Sequence, residues 1–215
     1  MIPGLMGCDR MLNSKDYNMV IEQAFQQHYT EQSDVWTTDI GMRILPLLIQ
    51  GKLRLSGHSR VLDIGCGSGL DTLIYSELSS QVTGIDIYDH PEWRSIQEQF
   101  DNITFYRANF LQHPIDEYDL VIDNGCFHHQ ANENLLTYLL KVKEILSDNG
   151  HFILSTFYDP ATLTYVDNYE RIHHYFSDQD IEQKLNSAGF NIMDTVYIYR
   201  KRYKNYYRIS FCKKI

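Results

Sequence analysis

Arg60-Val-Leu-Asp-Ile-Gly-Cys-Gly-Ser-Gly69 is a strand that breaks into alternating glycines. Val61 to Ile64 are apolar except for one acid, Asp63, and read as a buried strand. Gly65, Gly67 and Gly69 follow, and then Leu70, Leu73, Ile74 and Leu78 recur at helical spacing. Missing Cβ atoms let the backbone turn tightly and let a ligand approach the peptide groups. The helix behind them begins with unpaired N–H groups. Strand, glycine bend and helix together predict a ligand site at this strand tip.

The spacing narrows the ligand. A dinucleotide fingerprint is G-x-G-x-x-G; here the pattern is G-x-G-x-G, and its third-glycine position holds Leu70. Asp63 would repel a pyrophosphate but welcome an ammonium group. Gln81-Val-Thr-Gly-Ile-Asp86-Ile87 reads as the next strand, and a carboxylate at its end can accept both hydroxyls of a ribose. A cationic amino-acid end at Asp63 and a ribose at Asp86 describe S-adenosylmethionine.

With D-I-G-C-G-S-G followed by G-I-D-I, the chain resembles the class I S-adenosylmethionine-dependent methyltransferases over residues 17–215. The resemblance implies a Rossmann-like three-layer α/β/α sandwich. Its sheet would have seven strands, mostly parallel, closed by an antiparallel C-terminal hairpin. It implies a single domain over 1–215, with 1–57 a helical lid segment and 58–215 the core. It implies cofactor contacts from Asp63, Gly65, Cys66, Gly67, Gly69, Asp86, Ile87, Asn109, Phe110 and Asn124, with S-adenosylhomocysteine as product. Asn109 stands where the family usually has an acid that accepts the adenine amino group. Its carbonyl oxygen can accept the same bond, or it is a polar turn residue. The wording Val35-Trp-Thr-Thr-Asp-Ile-Gly41 resembles the thiopurine and thiol methyltransferase branch, except that Val35 replaces the usual Pro. Trp36 is read either as lid or as core packing.

Further along, apolar runs at Ile103–Arg107, Tyr118–Asp123 and 151–157 read as strands, and residues 133–146 as a helix ended by Asp148-Asn-Gly150. Pro46 marks a kink or a start within a helix over 40–51. Residues 161–176, polar and aromatic, read as a loop that closes over the acceptor. Ser177-Asp-Gln-Asp180 caps a helix that Gly189 ends, and 191–199 and 206–212 make a closing hairpin.

Open α/β sheets bind ligands beyond the carboxyl ends of their strands, so Asn124-Gly-Cys-Phe-His128-His129 faces the transferring methyl group. His128 is the candidate base, set against a purely architectural role. Asp123 and Tyr158 are the other catalytic candidates, Asp123 as an orienting group and Tyr158 as a hydrogen-bond donor to the acceptor. Nine histidines show no helical ligand spacing, so no metal is expected.

A net charge of −9 argues against a general nucleic-acid grip. Residues 198–215 nonetheless carry seven basic residues and no acid. A solvated hairpin is one reading, and an RNA or protein methyltransferase using that hairpin is another. A cofactor-binding module without transfer remains a third. No run of eighteen apolar residues spans a membrane, no secretion signal is read, and four dispersed cysteines fit a reducing cytoplasm. The expected partner is a small-molecule methyl acceptor, with a modest preference for sulfur.

Overall fold

The computed structural model describes residues 14–31, 35–114 and 116–215. Residues 1–13 and 32–34 of the expected helical lid segment lie outside the described residues. Five parallel strands form the centre: β1 (Arg60–Ile64), β2 (Gln81–Asp86), β3 (Ile103–Arg107), β4 (Tyr118–Asn124) and β5 (Leu146–Tyr158), in the order β3-β2-β1-β4-β5. Two C-terminal strands, β8 (Phe190–Arg200) and β9 (Asn205–Lys214), close the sheet, β9 running antiparallel to β5 and β8 antiparallel to β9. These seven are the strands the sequence leads one to expect.

Two more come from the stretch read as a loop. β6 (Leu163–Val166) and β7 (Ile172–Phe176) form a hairpin, and β7 runs parallel to the last two residues of β5, Phe157 and Tyr158. The far side of β5 is occupied by β9 over Phe152–Tyr158. β7 therefore takes over, beyond Ser155, the side that β4 holds as far as Asn124. The β-branched residues and aromatics of 163–166 and 172–176 support strands. The turn between them is closed by Asp167, whose Oδ1 accepts from Tyr169 N at 2.9 Å and Arg171 N at 3.0 Å.

Strand alternation makes the layers. On one face Leu62, Ile64, Val121, Phe152 and Leu154 pack against α6 (Leu135–Ile145) and α7 (Asp178–Ser187). On the other, Val61, Leu120, Ile122, Ile153 and Ile209 pack against α3 (Leu45–Lys52) and Tyr75 of α4 (Leu70–Ser76). Apolar side chains on both faces account for the near-continuous hydrophobic runs of the central strands. α5 (Glu92–Gln99) packs Trp93 and Ile96 on Ile103 and Phe105. Pro46 falls in the first turn of α3, which resolves the expected helix 40–51 into α2 (Ile40–Arg43) and α3. α1 (Ser14–Thr30) reaches the strand tips through Tyr17: its hydroxyl donates to His129 O and accepts from Ile172 N, both at 2.8 Å.

The basic hairpin is solvated at its turn, where Lys201, Arg202 and Lys204 are exposed, but not along its strands. Arg208 is fully buried and pairs with Asp178 at 2.8 Å and Glu182 at 3.2 Å. Arg200 is buried between the rings of Tyr203 and Tyr207 and pairs with Asp39 at 2.7 Å. That last pair ties β8 to the start of α2. Removing one partner of a buried pair strands the other charge, so Asp39→Ala should cost about 3–5 kcal/mol in urea unfolding. Glu98→Ala, which breaks the exposed Arg94 pair, should cost about 0–1 kcal/mol. Equal losses in the two variants would show that the Asp39–Arg200 pair is not holding the segments together.

Candidate active site

The three glycines adopt positive φ: +71° at Gly65, +54° at Gly67 and +86° at Gly69. At Gly65 a Cβ would stand 1.9 Å from Cys126 Sγ, so the bend and the loop after β4 occupy the space a side chain would need. Gly65 N–H donates to Ile85 O at 2.7 Å and Gly67 N–H to Asp86 Oδ2 at 2.9 Å, pinning the bend to the end of β2. Trp93 Nε1 donates to Gly67 O at 2.8 Å from the other side. Asp86 accepts one more backbone bond, from Tyr88 N at 3.0 Å, so each of its oxygens keeps a lone pair.

A cavity of about 420 Å³ opens over this bend. Asp63, Gly65, Cys66, Gly67, Asp86, Ile87, Asn109, Phe110 and Asn124 all line it. Gly69 does not; it starts α4, packed against Phe105. Asn109 Oδ1 caps the turn after it, accepting from Leu111 N at 2.9 Å, and retains a second lone pair. Two further residues that the sequence does not point to, Arg43 and Asp71, line the same wall. Arg43 pairs with Asp71 at 2.8 Å, yet its Nε has no hydrogen-bond partner. Asn124 gives its Nδ2 to Met42 O at 3.1 Å, and its Oδ1 is likewise unpartnered and buried. No spacing rule links Arg43 to the glycine bend, because α2 reaches it only through the tertiary fold.

Asp63 lies buried under the bend and accepts from Thr72 Oγ1 at 2.6 Å. Burial, reinforced by the Asp71 and Asp86 carboxylates, pushes its carboxyl up to about 7. Burial raises Asp71 and Asp86 as well. Three carboxyls around one small space make a site that gains by taking up a cation.

Beyond the bend the cavity widens into an aromatic chamber. Its floor is one face of four adjacent strands. Tyr165 stacks on His173 (4.8 Å, 5°), and Phe157 stacks on Tyr175 (4.9 Å, 20°) and on Tyr207 (5.4 Å, 21°). Opposite stand Phe25 and Trp36, edge to face at 5.4 Å, with Arg171 against both rings. His128 lies flat on Phe157 at 3.8 Å, and its buried Nδ1 has no hydrogen-bond partner. Burial, with Arg200 and the other histidines nearby, lowers its pKa well below the usual range, so it is neutral. His129 gives Nδ1–H to Ile172 O at 2.8 Å.

Two sequence-based catalytic candidates fall outside this wall. Asp123 is fully buried; Oδ1 accepts from Gly125 N (3.0 Å) and Cys126 N (2.7 Å), and Oδ2 accepts from Tyr138 Oη at 2.5 Å. It holds the loop and does not reach the cavity. Tyr158 points away because strand neighbours alternate: Phe157 faces the chamber, and Tyr158 meets Tyr197 and Tyr206 on the outside. Among the described residues no cluster of three His, Cys, Asp or Glu could hold a metal ion.

A buried acid whose pKa is raised from 3.8 stabilises the fold fully below that value and loses its contribution as pH rises through about 7. The melting temperature of the ligand-free protein should therefore fall between pH 6 and 8, and Asp63→Asn should flatten that fall. An unchanged slope in the variant would mean that Asp63 is already ionised at pH 6.

Residues 31–195 match a family model described as a methyltransferase domain. No curated protein matches the sequence. In structure the chain is similar to the Burkholderia thailandensis 1,6-didemethyltoxoflavin-N1-methyltransferase, solved with 1,6-didemethyltoxoflavin and S-adenosylhomocysteine bound. The TM-score is 0.91 at 25% identity, over 97% of this chain and 93% of that one. It is also similar to DhpI in complex with S-adenosylhomocysteine (TM-score 0.63, 15% identity, 91% and 96% covered). A Leishmania major S-adenosylmethionine-dependent methyltransferase gives a TM-score of 0.71 at 14% identity, with 94% and 85% covered. With the glycine bend, the two strand-tip carboxylates and the seven-strand order in place, the chain belongs to the methyltransferase domain family and is an S-adenosylmethionine-dependent methyltransferase.

Proposed function

We propose that this enzyme methylates a small, flat heteroaromatic molecule lying on the Tyr165–His173–Phe157–Tyr207 floor. The observation that carries the reading is that floor itself, continuous with the cofactor end of the cavity. Ring faces on one side and aromatic edges on the other favour a planar guest, since offset and edge-to-face ring contacts each add about 0.5–1.5 kcal/mol beyond area burial. The Burkholderia enzyme, whose named substrate is 1,6-didemethyltoxoflavin, supports the same class.

The residues present fit the cofactor. Its amino-acid end needs an acceptor for an ammonium and a donor for a carboxylate, and the wall offers Asp63 and the orphaned Asn124 Oδ1 for the first, Arg43 Nε for the second. Asp86 keeps lone pairs for the ribose, and Asn109 and Phe110 flank the space for the base. When bound, S-adenosylmethionine supplies a methyl group already activated on sulfur. The chain's own task is then alignment, which can remove roughly 7–11 kcal/mol of barrier, and the exclusion of water by α1 and the β6–β7 hairpin. His128, neutral and with its Nδ1 unpartnered, is suited to hydrogen-bonding and orienting the acceptor.

The modest preference for sulfur rests on the branch resemblance of residues 35–41, and no contact of Trp36 in this chamber adds to it. The indole donates to Tyr29 Oη at 3.2 Å and packs on Phe25, which makes it wall. An RNA or protein substrate gripped by the basic hairpin has only the exposed turn residues Lys201, Arg202 and Lys204 to hold it, since Arg200 and Arg208 are spent inside the fold.

Calorimetry with S-adenosylmethionine tests the cofactor half: Asp86→Ala should weaken binding at least about tenfold, as should Gly65→Ala, whose Cβ has no room. Full affinity in Asp86→Ala would mean the ribose lies elsewhere. Radiolabelled methyl transfer tests the acceptor half, using N–H heteroaromatics such as lumazine against aryl thiols. Label on the thiols alone would overturn the proposed class.

A further inference from the structure

His173 was read in the sequence only as part of a loop, and its surroundings are unlike those of the other chamber histidines. Its Nε2 lies 2.9 Å from Asp167 Oδ2, and Nδ1 has no hydrogen-bond partner although the residue is 92% buried in the cavity wall. Asp167 is itself clamped: Arg171 Nε and a terminal nitrogen reach Oδ2 at 2.9 and 2.7 Å, and backbone N–H groups of Tyr169 and Arg171 reach Oδ1. Burial alone would raise this carboxyl, but the bonds from His173 and Arg171 outweigh it and hold it below the usual range, so it stays charged. A fixed carboxylate on Nε2 selects the tautomer that carries its proton there and leaves a lone pair on Nδ1.

We propose that His173, oriented by Asp167, takes the proton of the methyl acceptor, so that the enzyme acts on an N–H or O–H group. This rests on the flat-acceptor reading above. His128 cannot serve as well: an imidazolium there would be buried beside Arg200 with no carboxylate to offset it, whereas one at His173 would sit on Asp167. In the step, the acceptor's electron pair forms the bond to the methyl carbon and the pair of the carbon–sulfur bond leaves with sulfur. The acceptor's N–H or O–H bond breaks, and its proton goes to Nδ1 and later to solvent. A base placed in this way contributes about 10²–10⁴-fold.

The groups that face His173 are Asp167 and Arg171 at the hairpin turn, Tyr165 on β6, and His128 and His129 after β4, with Tyr17 on α1 bonded to the backbone of the neighbouring Ile172. The first experiment needs no acceptor: nitrogen NMR of ¹⁵N-histidine-labelled full chain should show His173 protonated at Nε2 and bare at Nδ1, with Asp167→Asn disturbing that preference. A proton on Nδ1 in the wild type would overturn the proposal outright. The second uses lumazine with S-adenosylmethionine. His173→Asn should lower kcat about 10²–10³-fold, leave KM and cofactor affinity within about threefold, and regain activity as pH approaches the acceptor's own ionisation. An equal loss at every pH, or no loss, would refute proton transfer. Should His173→Asn not fold, His173→Gln and the wild-type tautomer decide the matter. A wild type that ignores lumazine and every other N–H or O–H acceptor but methylates thiols would sink the acceptor reading instead, whatever the tautomer.

Discussion

The architecture turns on a space too small for a methyl group. Gly65 has to be glycine because Cys126, at the tip of the neighbouring strand, already fills the place of its side chain. This contact brings β1 and β4 together at their carboxyl ends, and the backbone bonds from Gly65 to Ile85 and from Gly67 to Asp86 add β2. Three strand tips thus converge on one bend. The loss of Cβ atoms that permits this convergence also exposes the peptide groups on which a ligand can rest.

Charge is arranged around that bend in a graded way. Next to it, three carboxyls share one guanidinium, Arg43, and the deficit of positive charge is what a cationic ligand can relieve. Farther out, in the aromatic chamber, each buried guanidinium has its own carboxylate: Arg171 with Asp167, Arg200 with Asp39. The chamber is therefore close to neutral, and stacking rather than net charge governs what it accepts. His173 shares its carboxylate with Arg171, whereas His128 stacks on Phe157 with no carboxylate among its hydrogen-bond partners.

The cofactor half of this site could be read from sequence because its determinants are local. A strand, alternating glycines and an acid at the next strand tip lie within one stretch, and Asp63, Asp86 and Asn109 were placed from order along the chain. The acceptor half could not. Tyr165, His173, Tyr175, Phe157 and Tyr207 come together only through the pairing of four strands, and two of those strands lie in a stretch whose sequence reads as a loop. Composition there was polar and aromatic, and the alternation was too short to assert itself against it. Asp123 orients the loop backbone, one of the two roles its place in the sequence suggests, but Tyr158 turns away from the chamber for a related reason. Sequence gives position along a strand but not which face a residue takes at its frayed end. Arg200 and Arg208 looked like solvated charge because the acids that pair with them, Asp39, Asp178 and Glu182, lie in distant segments.

The change of neighbour along β5 has a consequence for how such an enzyme can diversify. Up to Ser155 the strand is bonded to β4, which carries Asn124 at the glycine-bend end of the cavity; two residues later it is bonded to β7, which carries part of the aromatic floor. Two strand residues are a rigid offset of about 6.6–6.8 Å. The β6–β7 unit behaves as an interchangeable tile laid against a fixed ruler. Its exposed turn and floor residues can be rewritten to suit a different guest while the distance from guest to cofactor is preserved by backbone register.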